Sequence, residues 1–302
     1  MIKKSMHVGV IDLSSNIYRT YKTSQKDASK NNSLHYIGDI PVYCIKNTIL
    51  QLIKEQNAII RKRGELTHML AVLDFGGSNF RHEIYPEYKA NRDPEDPELT
   101  VQKIIIERVL NHLGYTVIKV PNVEADDVIG TVVTKCSDHG IKTTVFSRDK
   151  DLFAFIDKGN VMQYSGAEKV LFGWQTVVDS KGVTPDRITD MLTLMGDKAD
   201  NIIGVKGFGA KSASAILAVY SLDEILDDPY LILKTGVRGA KGLVSNLQNS
   251  AEQISLMRKV ATVKTDIELN QSLRDWQYSR SKKNIDSVIS QSIKELITEG
   301  EI

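Results

Sequence analysis

The stretch Val123-Glu124-Ala125-Asp126-Asp127-Val128-Ile129-Gly130 constrains this chain more than any other. It places three carboxylates within four positions and then continues as an apolar run. Pro121 and Asn122 precede it, and Val128, Ile129, Val132 and Val133 recur at helical spacing, which predicts that Glu124 to Asp127 form the first turn of a helix packed on a core. The helix dipole favours one or two acids there by a few tenths of a kcal/mol each, but like charges three or four apart repel by a similar amount. Alone, the run reads equally well as a solvated first turn. Acidic pairs recur downstream beside predicted element ends, however, and three such clusters point to divalent metal.

With 302 residues, 41% hydrophobic and 25% charged, the sequence describes a soluble globular protein of one large or two modest domains. The formal net charge of +1 makes any attraction to a polyanion local. Cys44 and Cys136 each fall in a predicted apolar-periodic helix, as buried thiols of a reducing compartment do, and the histidines show no zinc-binding spacing. No apolar run reaches membrane-spanning length, and Met1-Ile2-Lys3-Lys4 leads into a strand without a signal-peptide core, so the expected location is the cytoplasm.

In chain order, His7 to Asp12 is an apolar run ending in a carboxylate, which suits a buried parallel strand. A short helix carrying Arg19 follows, then a polar stretch over 22–39 that predicts an exposed loop, then an amphipathic helix from Pro41 to Lys62. His68 to Leu73 is a second buried strand, again ending in a carboxylate, Asp74. Residues 78–100 lack clean periodicity and carry three prolines, two tyrosines and the cations Arg81, Lys89 and Arg92. The stretch is net negative and too long for an ordinary connection, and it reads as a mobile lid whose aromatics stack on bases while Lys89 and Arg92 address a phosphate. Leu99 to Leu113 is a helix, Tyr115 to Val120 a strand, and Lys142 to Phe146 a strand running into Ser147-Arg148-Asp149-Lys150-Asp151, where an extended backbone points Asp149 and Asp151 to one side. Val161 to Tyr164 and Val170 to Phe172 close the alternation as a strand pair. These features predict a doubly wound, parallel-sheet α/β core over 1–175, with an arch at about 78–100.

Beyond about Trp174 the pattern is helical, giving a second region over 176–302. A helix from Thr184 to Met195 ends at Gly196, and Asp197 and Asp200 follow. Gly204-Val205-Lys206-Gly207-Phe208-Gly209-Ala210-Lys211-Ser212-Ala213 then opens another helix, so 188–219 reads as a helix-hairpin-helix. Gly207, Gly209 and Ser212 offer backbone to a phosphate, flanked by Lys206 and Lys211. The spacing is not that of a Walker loop. Lys282-Lys283 begins a final polar helix with no chemical signal.

Asp12, Asp74, Glu124, Asp126, Asp127, Asp149, Asp151, Asp197 and Asp200 therefore stand at strand ends, a helix start or helix-terminal loops, which a parallel sheet gathers at one rim. Hard oxygen ligands without His or Cys select magnesium or manganese. Two such ions about 4 Å apart clamp the attacking and leaving oxygens of a phosphodiester and lower the pKa of a bound water. With a phosphate-gripping hairpin on the same chain, hydrolysis of nucleic acid is the leading reading.

These residues also resemble the 5′-nuclease (flap endonuclease-like) family, most closely the 5′–3′ exonuclease domain of bacterial DNA polymerase I, from about His7 to Trp276. The matching motifs are DLSSNIYR at Asp12 to Arg19, FRHEIYPEYKANR at Phe80 to Arg92, VEADDVIGT, SRDKDL, LMGDKADNIIGVKGFGAKSA and ATVKTDIEL at Ala261 to Leu269. The resemblance implies that all nine carboxylates are metal positions, that Lys89, Arg92 and Tyr88 belong to an arch admitting a 5′ single strand, and that Arg19 contacts a phosphate. It also implies that the hairpin from Gly204 to Lys211 holds duplex DNA, often with a potassium ion. Leu13, Arg148, Ile203 and Lys206 depart from the family pattern without removing a ligand, and Arg148 adds a candidate phosphate contact. The chain resembles a free-standing, phage-like nuclease acting in replication and repair as a monomer on flaps, nicks, 5′ ends or RNA–DNA hybrid, in a bacterial or phage-infected cell and alongside replication proteins. Lys89 and Arg92 are the expected catalytic cations. Two alternatives stay open: a metal-dependent ribonuclease of the PIN type, which needs neither arch nor hairpin, and a non-catalytic structure-specific DNA-binding protein.

Overall fold

The computed structural model describes residues 6–31 and 35–302, with backbone alone for 28–31. The chain runs β1 (His7–Asp12), α1 (Leu13–Asn31), a small hairpin of β2 (Tyr36–Ile37) and β3 (Ile40–Pro41), α2 (Ile45–Arg63) and β4 (His68–Val72). It continues through α3 (Phe80–Ile84), α4 (Pro97–His112), β5 (Thr116–Ile118), α5 (Ala125–Asp138), β6 (Lys142–Phe146), a 3₁₀ turn at Asp151–Phe155, β7 (Val161–Ser165) and β8 (Val170–Phe172). Helices follow: α6 (Trp174–Lys181), α7 (Ile188–Met195), α8 (Ala210–Leu217), α9 (Leu222–Asp227), α10 (Ala240–Gln248), α11 (Ala251–Ala261) and α12 (Ile285–Glu299).

The main sheet has the order β5-β4-β1-β6-β7-β8, parallel throughout except for the β7–β8 edge pair. Central β1 is wholly buried because both of its faces are covered, which its unbroken apolar sequence requires. One face carries α1, α2, α4 and α12 over a core including Ile11, Ile49, Leu52, Ile105 and Ile293. The other packs α5 through Val128, Ile129, Val132 and Val133. The chain steps from β1 to β4 and β5 on one side and then crosses back to β6, so strand order reverses beside β1 at the carboxyl edge, where such sheets open a ligand crevice.

A separate core of α6 to α11, built on Leu194, Phe208, Ile216, Leu222 and Leu247, forms the helical region. Its hairpin is pinched by two glycines. A Cβ on Gly204 would lie 2.2 Å from the Met195 carbonyl oxygen, and Gly196 adopts φ 74° with its own Cβ position 2.4 Å from the Gly204 nitrogen. The chain then returns to the sheet: Trp276 is buried in the core on the α5 face, its carbonyl accepts from the Met69 amide, and the Tyr278 amide donates to the Thr67 carbonyl.

Several expectations are corrected. The polar stretch after Arg19 continues α1 as far as Asn31, because Tyr21 and Ser24 turn one face inward; the loop expected over 32–34 lies outside the described residues. Cys44 precedes α2 rather than lying within a helix, although both thiols are buried and free. The last helix begins at Ile285, and it is amphipathic rather than polar, with Val288, Ile289, Ile293 and Leu296 in the first core. The segment 78–100 is no loose lid: α3 is followed by turns, and Tyr85 and Tyr88 are buried against Met257 and Val260 of α11. Among the described residues no helix is long and apolar enough to cross a membrane.

Candidate active site

Three parallel strands each deliver a carboxylate to the same edge. Asp12 ends β1, its Oδ1 accepting from the Ser15 amide at 3.0 Å and its Oδ2 from the Ser147 hydroxyl at 2.6 Å. Asp74 follows β4, exposed, and its Oδ1 accepts from the Ala125 amide at 2.8 Å, which couples β4 to the start of α5. Asp149 follows β6. Asp151 opens the 3₁₀ turn rather than continuing an extended segment, and its amide donates to Asp149 Oδ1 at 2.9 Å. Asp126 stands in the first turn of α5, while Asp197 and Asp200 stand in the loop after α7, closed by the Asp197–Ile202 bridge.

The electrostatics show how closely these groups gather. Burial pushes the Asp12 carboxyl up to about 7, with Asp149 and Asp74 adding repulsion against hydrogen bonds from Ser147 and Ser15. Asp151 rises to about 8 through burial and then through Asp149, Asp200 and Asp197. Asp126 is raised well above the usual carboxylate range by burial, then by Asp149, Asp12, Asp74 and Asp151. Asp149 is raised by burial and by Asp200 and Asp197, while the Asp151 amide and Lys89 oppose the shift. Such mutual repulsion is relieved by protons or by cations. A donor set of hard carboxylate oxygens, half-buried and repelling one another, fits a divalent metal ion. Among the described residues no three of these side chains close into an ion-sized cage by themselves.

The cations of the arch lie against this rim. Lys89 Nζ is 2.5 Å from Glu124 Oε1 and 3.8 Å from Asp200 Oδ2, and Arg92 pairs with Asp200 Oδ1. Asn91 Nδ2 donates to the Lys198 carbonyl, and Asn201 Nδ2 to the Glu87 carbonyl at 2.7 Å, so the arch is fastened to the loop carrying Asp197 and Asp200.

Three expected site residues play other parts. Asp127 is wholly buried and its oxygens are filled: Arg81 grips both at 2.7 Å, and the amides of Glu124 and Lys264 donate at 3.0 and 2.8 Å. It is a fastener, with no lone pair directed to the cleft. Arg81, 3% exposed, is consumed by that pair and by the carbonyls of Val260 and Thr262, so it cannot reach DNA. Tyr88 is 3% exposed, too buried to stack on a base, and its hydroxyl donates to Glu124 and Asp200 at 2.9 and 3.1 Å. Arg19 is held by Asn16 and by buried Glu55 at 3.0 Å, beside the rim, whereas Arg148 is exposed. Lys206, Gly207, Gly209 and Lys211 are exposed on the hairpin; the Ser212 hydroxyl is spent on it, accepting from the Gly209 amide at 3.0 Å. Sequence reasoning overlooked Ser147, whose hydroxyl links Asp12 to the Asp149 amide at 2.9 Å; its place at the end of β6, two residues before Asp149, was the available signal.

Comparison with known proteins agrees with this geometry. Residues 7–184 match the family described as 5'-3' exonuclease, N-terminal resolvase-like domain, and residues 183–284 match 5'-3' exonuclease, C-terminal SAM fold. The chain is 31% identical over 269 residues to a 5'-3' exonuclease of Buchnera aphidicola subsp. Baizongia pistaciae, covering 89% of this chain and 85% of that protein. It is 36% identical over 220 residues to DNA polymerase I of Pseudomonas aeruginosa, covering 70% of this chain but only 23% of the polymerase. In fold it is similar to the bacteriophage T5 D15 protein co-crystallized with metal ions, with TM-score 0.65 and 19% identity, covering 97% of this chain and 98% of that one.

Proposed function

This chain belongs to the 5′-3′ exonuclease family, and from that premise we propose that its acidic rim, arch cations and glycine hairpin act together on DNA at a 5′ end or flap. It is a metal-dependent 5′ nuclease that hydrolyses phosphodiester bonds. The observation carrying the finer reading is the gathering of Asp12, Asp126, Asp149 and Asp151 at one sheet edge, each raised by burial and by its neighbours, directly beside Lys89 and Arg92.

Asp12, Asp74, Glu124, Asp126, Asp149, Asp151, Asp197 and Asp200 would hold the divalent ions, magnesium or manganese, and two per site suits so many donors. When bound, the ions neutralise phosphate charge and acidify water. Ser147 and the Ser15 amide keep the Asp12 carboxylate aimed at the edge. Lys89 and Arg92 exchange Glu124 and Asp200 for the scissile phosphate, supplying charge where it develops, and Tyr88 keeps those two carboxylates in register. Lys206, Lys211 and the hairpin backbone at Gly207 hold the duplex, and a potassium ion at that hairpin rests on the resemblance alone. Arg19 and Arg148 add phosphate contacts at the rim. RNA–DNA hybrids and replication proteins remain partners by resemblance alone.

A duplex with a labelled 5′ flap tests this reading. Cleavage should need magnesium, stop with chelator and vanish in Asp149→Ala while DNA binding persists, and Lys89→Ala should slow turnover severely. Full activity in either variant, or cleavage of RNA without DNA, would overturn it.

A further inference from the structure

The phosphate-gripping hairpin has a partial repeat. Gly204-Val205-Lys206-Gly207 followed by Ala210-Lys211 precedes α8, and Gly236-Val237-Arg238-Gly239-Ala240-Lys241 precedes α10. In both, a glycine in the left-handed region turns the chain just before the helix, Gly207 at φ 87° and Gly239 at φ 78°. The two units touch. Asn246 of α10 donates from Nδ2 to the Lys206 carbonyl at 2.9 Å, and a Cβ on Gly207 would meet Leu243 of α10 at 3.0 Å.

Both hairpin stretches are basic, and the four acids between them, Asp223, Glu224, Asp227 and Asp228, are confined to α9 and its end. Residues 201–222 and 229–251 contain Lys206, Lys211, Lys234, Arg238 and Lys241 and no Asp or Glu, in a chain whose acids and bases otherwise nearly balance. All five cations are exposed, and among the described residues none of them pairs with a carboxylate. Gly242 adds an independent sign. It is the third residue of α10, where glycine is a poor helix former, yet nothing comes within 4 Å of its would-be Cβ and its φ is not left-handed. No contact within the molecule requires glycine there, and the exposed backbone is left open to a phosphate.

We propose that Arg238, Lys241 and the bare backbone at Gly242 form a second phosphate-binding surface, which extends the grip of the first hairpin along the same DNA duplex. The proposal rests on the nuclease reading for its ligand, since a regularly spaced polyanion is what unpaired cations around bare backbone suit. Binding here is to phosphate and blind to base sequence.

The test is binding of a fluorescent 5′-flap duplex by the full chain in calcium at several salt concentrations, with cleavage in magnesium measured in parallel. Arg238→Ala/Lys241→Ala should weaken binding roughly tenfold at about 50 mM salt and flatten the slope of log affinity against log salt by about two, near one per lost contact. The loss should fall on KM. Gly242→Gln should not lower the melting temperature, because it puts a better helix former into open space in the first turn of α10, while still weakening DNA binding; a purely structural role for the glycine predicts the opposite pairing. Lys211→Ala, in the first hairpin, serves as the positive control. If Lys211→Ala weakens binding while the double variant and Gly242→Gln bind as wild type does, the second surface is refuted and the nuclease reading stands. If wild-type protein neither binds nor cuts the flap, the nuclease reading itself fails.

Discussion

Arg81 and Asp127 supply a prediction whose size can be worked from the geometry. The guanidinium donates to both carboxylate oxygens at 2.7 Å, and its remaining N–H groups reach the carbonyls of Val260 at 2.9 Å and Thr262 at 3.2 Å. Two further amides, of Glu124 and Lys264, complete the shell around Asp127. The pair, itself almost wholly buried, therefore joins the start of the arch, the start of α5 and the end of α11. Asp127→Asn keeps the shape but strands a guanidinium, and breaking one side of such a pair costs about 3–5 kcal/mol. Against a typical domain stability of about 5–15 kcal/mol, that is a large share. Urea unfolding followed by far-UV circular dichroism should show the midpoint falling, and Arg81→Met should fall comparably. Divalent-ion affinity of folded Asp127→Asn, measured by calorimetry, should match wild type. A variant with an unchanged urea midpoint and lost ion binding would refute the reasoning and return Asp127 to the ligand set.

Three other outcomes follow from the same structure. Asp126→Asn should abolish cleavage and raise the melting temperature of metal-free protein increasingly as pH rises, because it removes a carboxyl whose ionisation is opposed by burial and by Asp149, Asp12 and Asp74; a lower melting temperature in scanning calorimetry at high pH would contradict the crowding. Buried His7 is lowered to about 4 by burial and then by the Arg63 charge, against a bond to the Gly64 carbonyl, so the unfolded chain binds the extra proton between about pH 4 and 6.5. Its contribution is intact above that window and lost as pH falls through it, by about 2 kcal/mol once partial screening is allowed for, and urea titrations should show a flatter pH profile in His7→Gln; equal slopes would refute it. Gly204→Ala forces a Cβ into the Met195 carbonyl and should loosen duplex binding together with the hairpin; unaltered affinity and melting temperature would show that the backbone yields.

The parts of the fold that the sequence exposes are those set by local pattern. β1 and β4 are near-continuous apolar runs, and the acids that end or follow them land where a parallel sheet must put them. The carboxylate rim is legible for the same reason. Roles decided by distant partners are not. Arg81 and Asp127 are 46 residues apart and look like surface charge and metal ligand until the arch is laid against α5. Tyr88 carries no mark separating a stacking ring from a buried one, since its partners Glu124 and Asp200 come from two other segments. In α12 the stripe of Val288, Ile289, Ile293 and Leu296 is visible at helical spacing, but the lysines and serines around it hide how much of the helix faces the core.

The return of the chain through Trp276 and Tyr278 has a mechanical consequence. The helical region leaves the sheet domain near α6 and comes back to it after α11, so two covalent strands, rather than one hinge, tie the glycine hairpin to the acidic edge. A double tether resists swivelling. Under the proposed function, it makes the span between grip and blade a built-in ruler, so that the place of incision would be measured from the gripped helix rather than read from the bases.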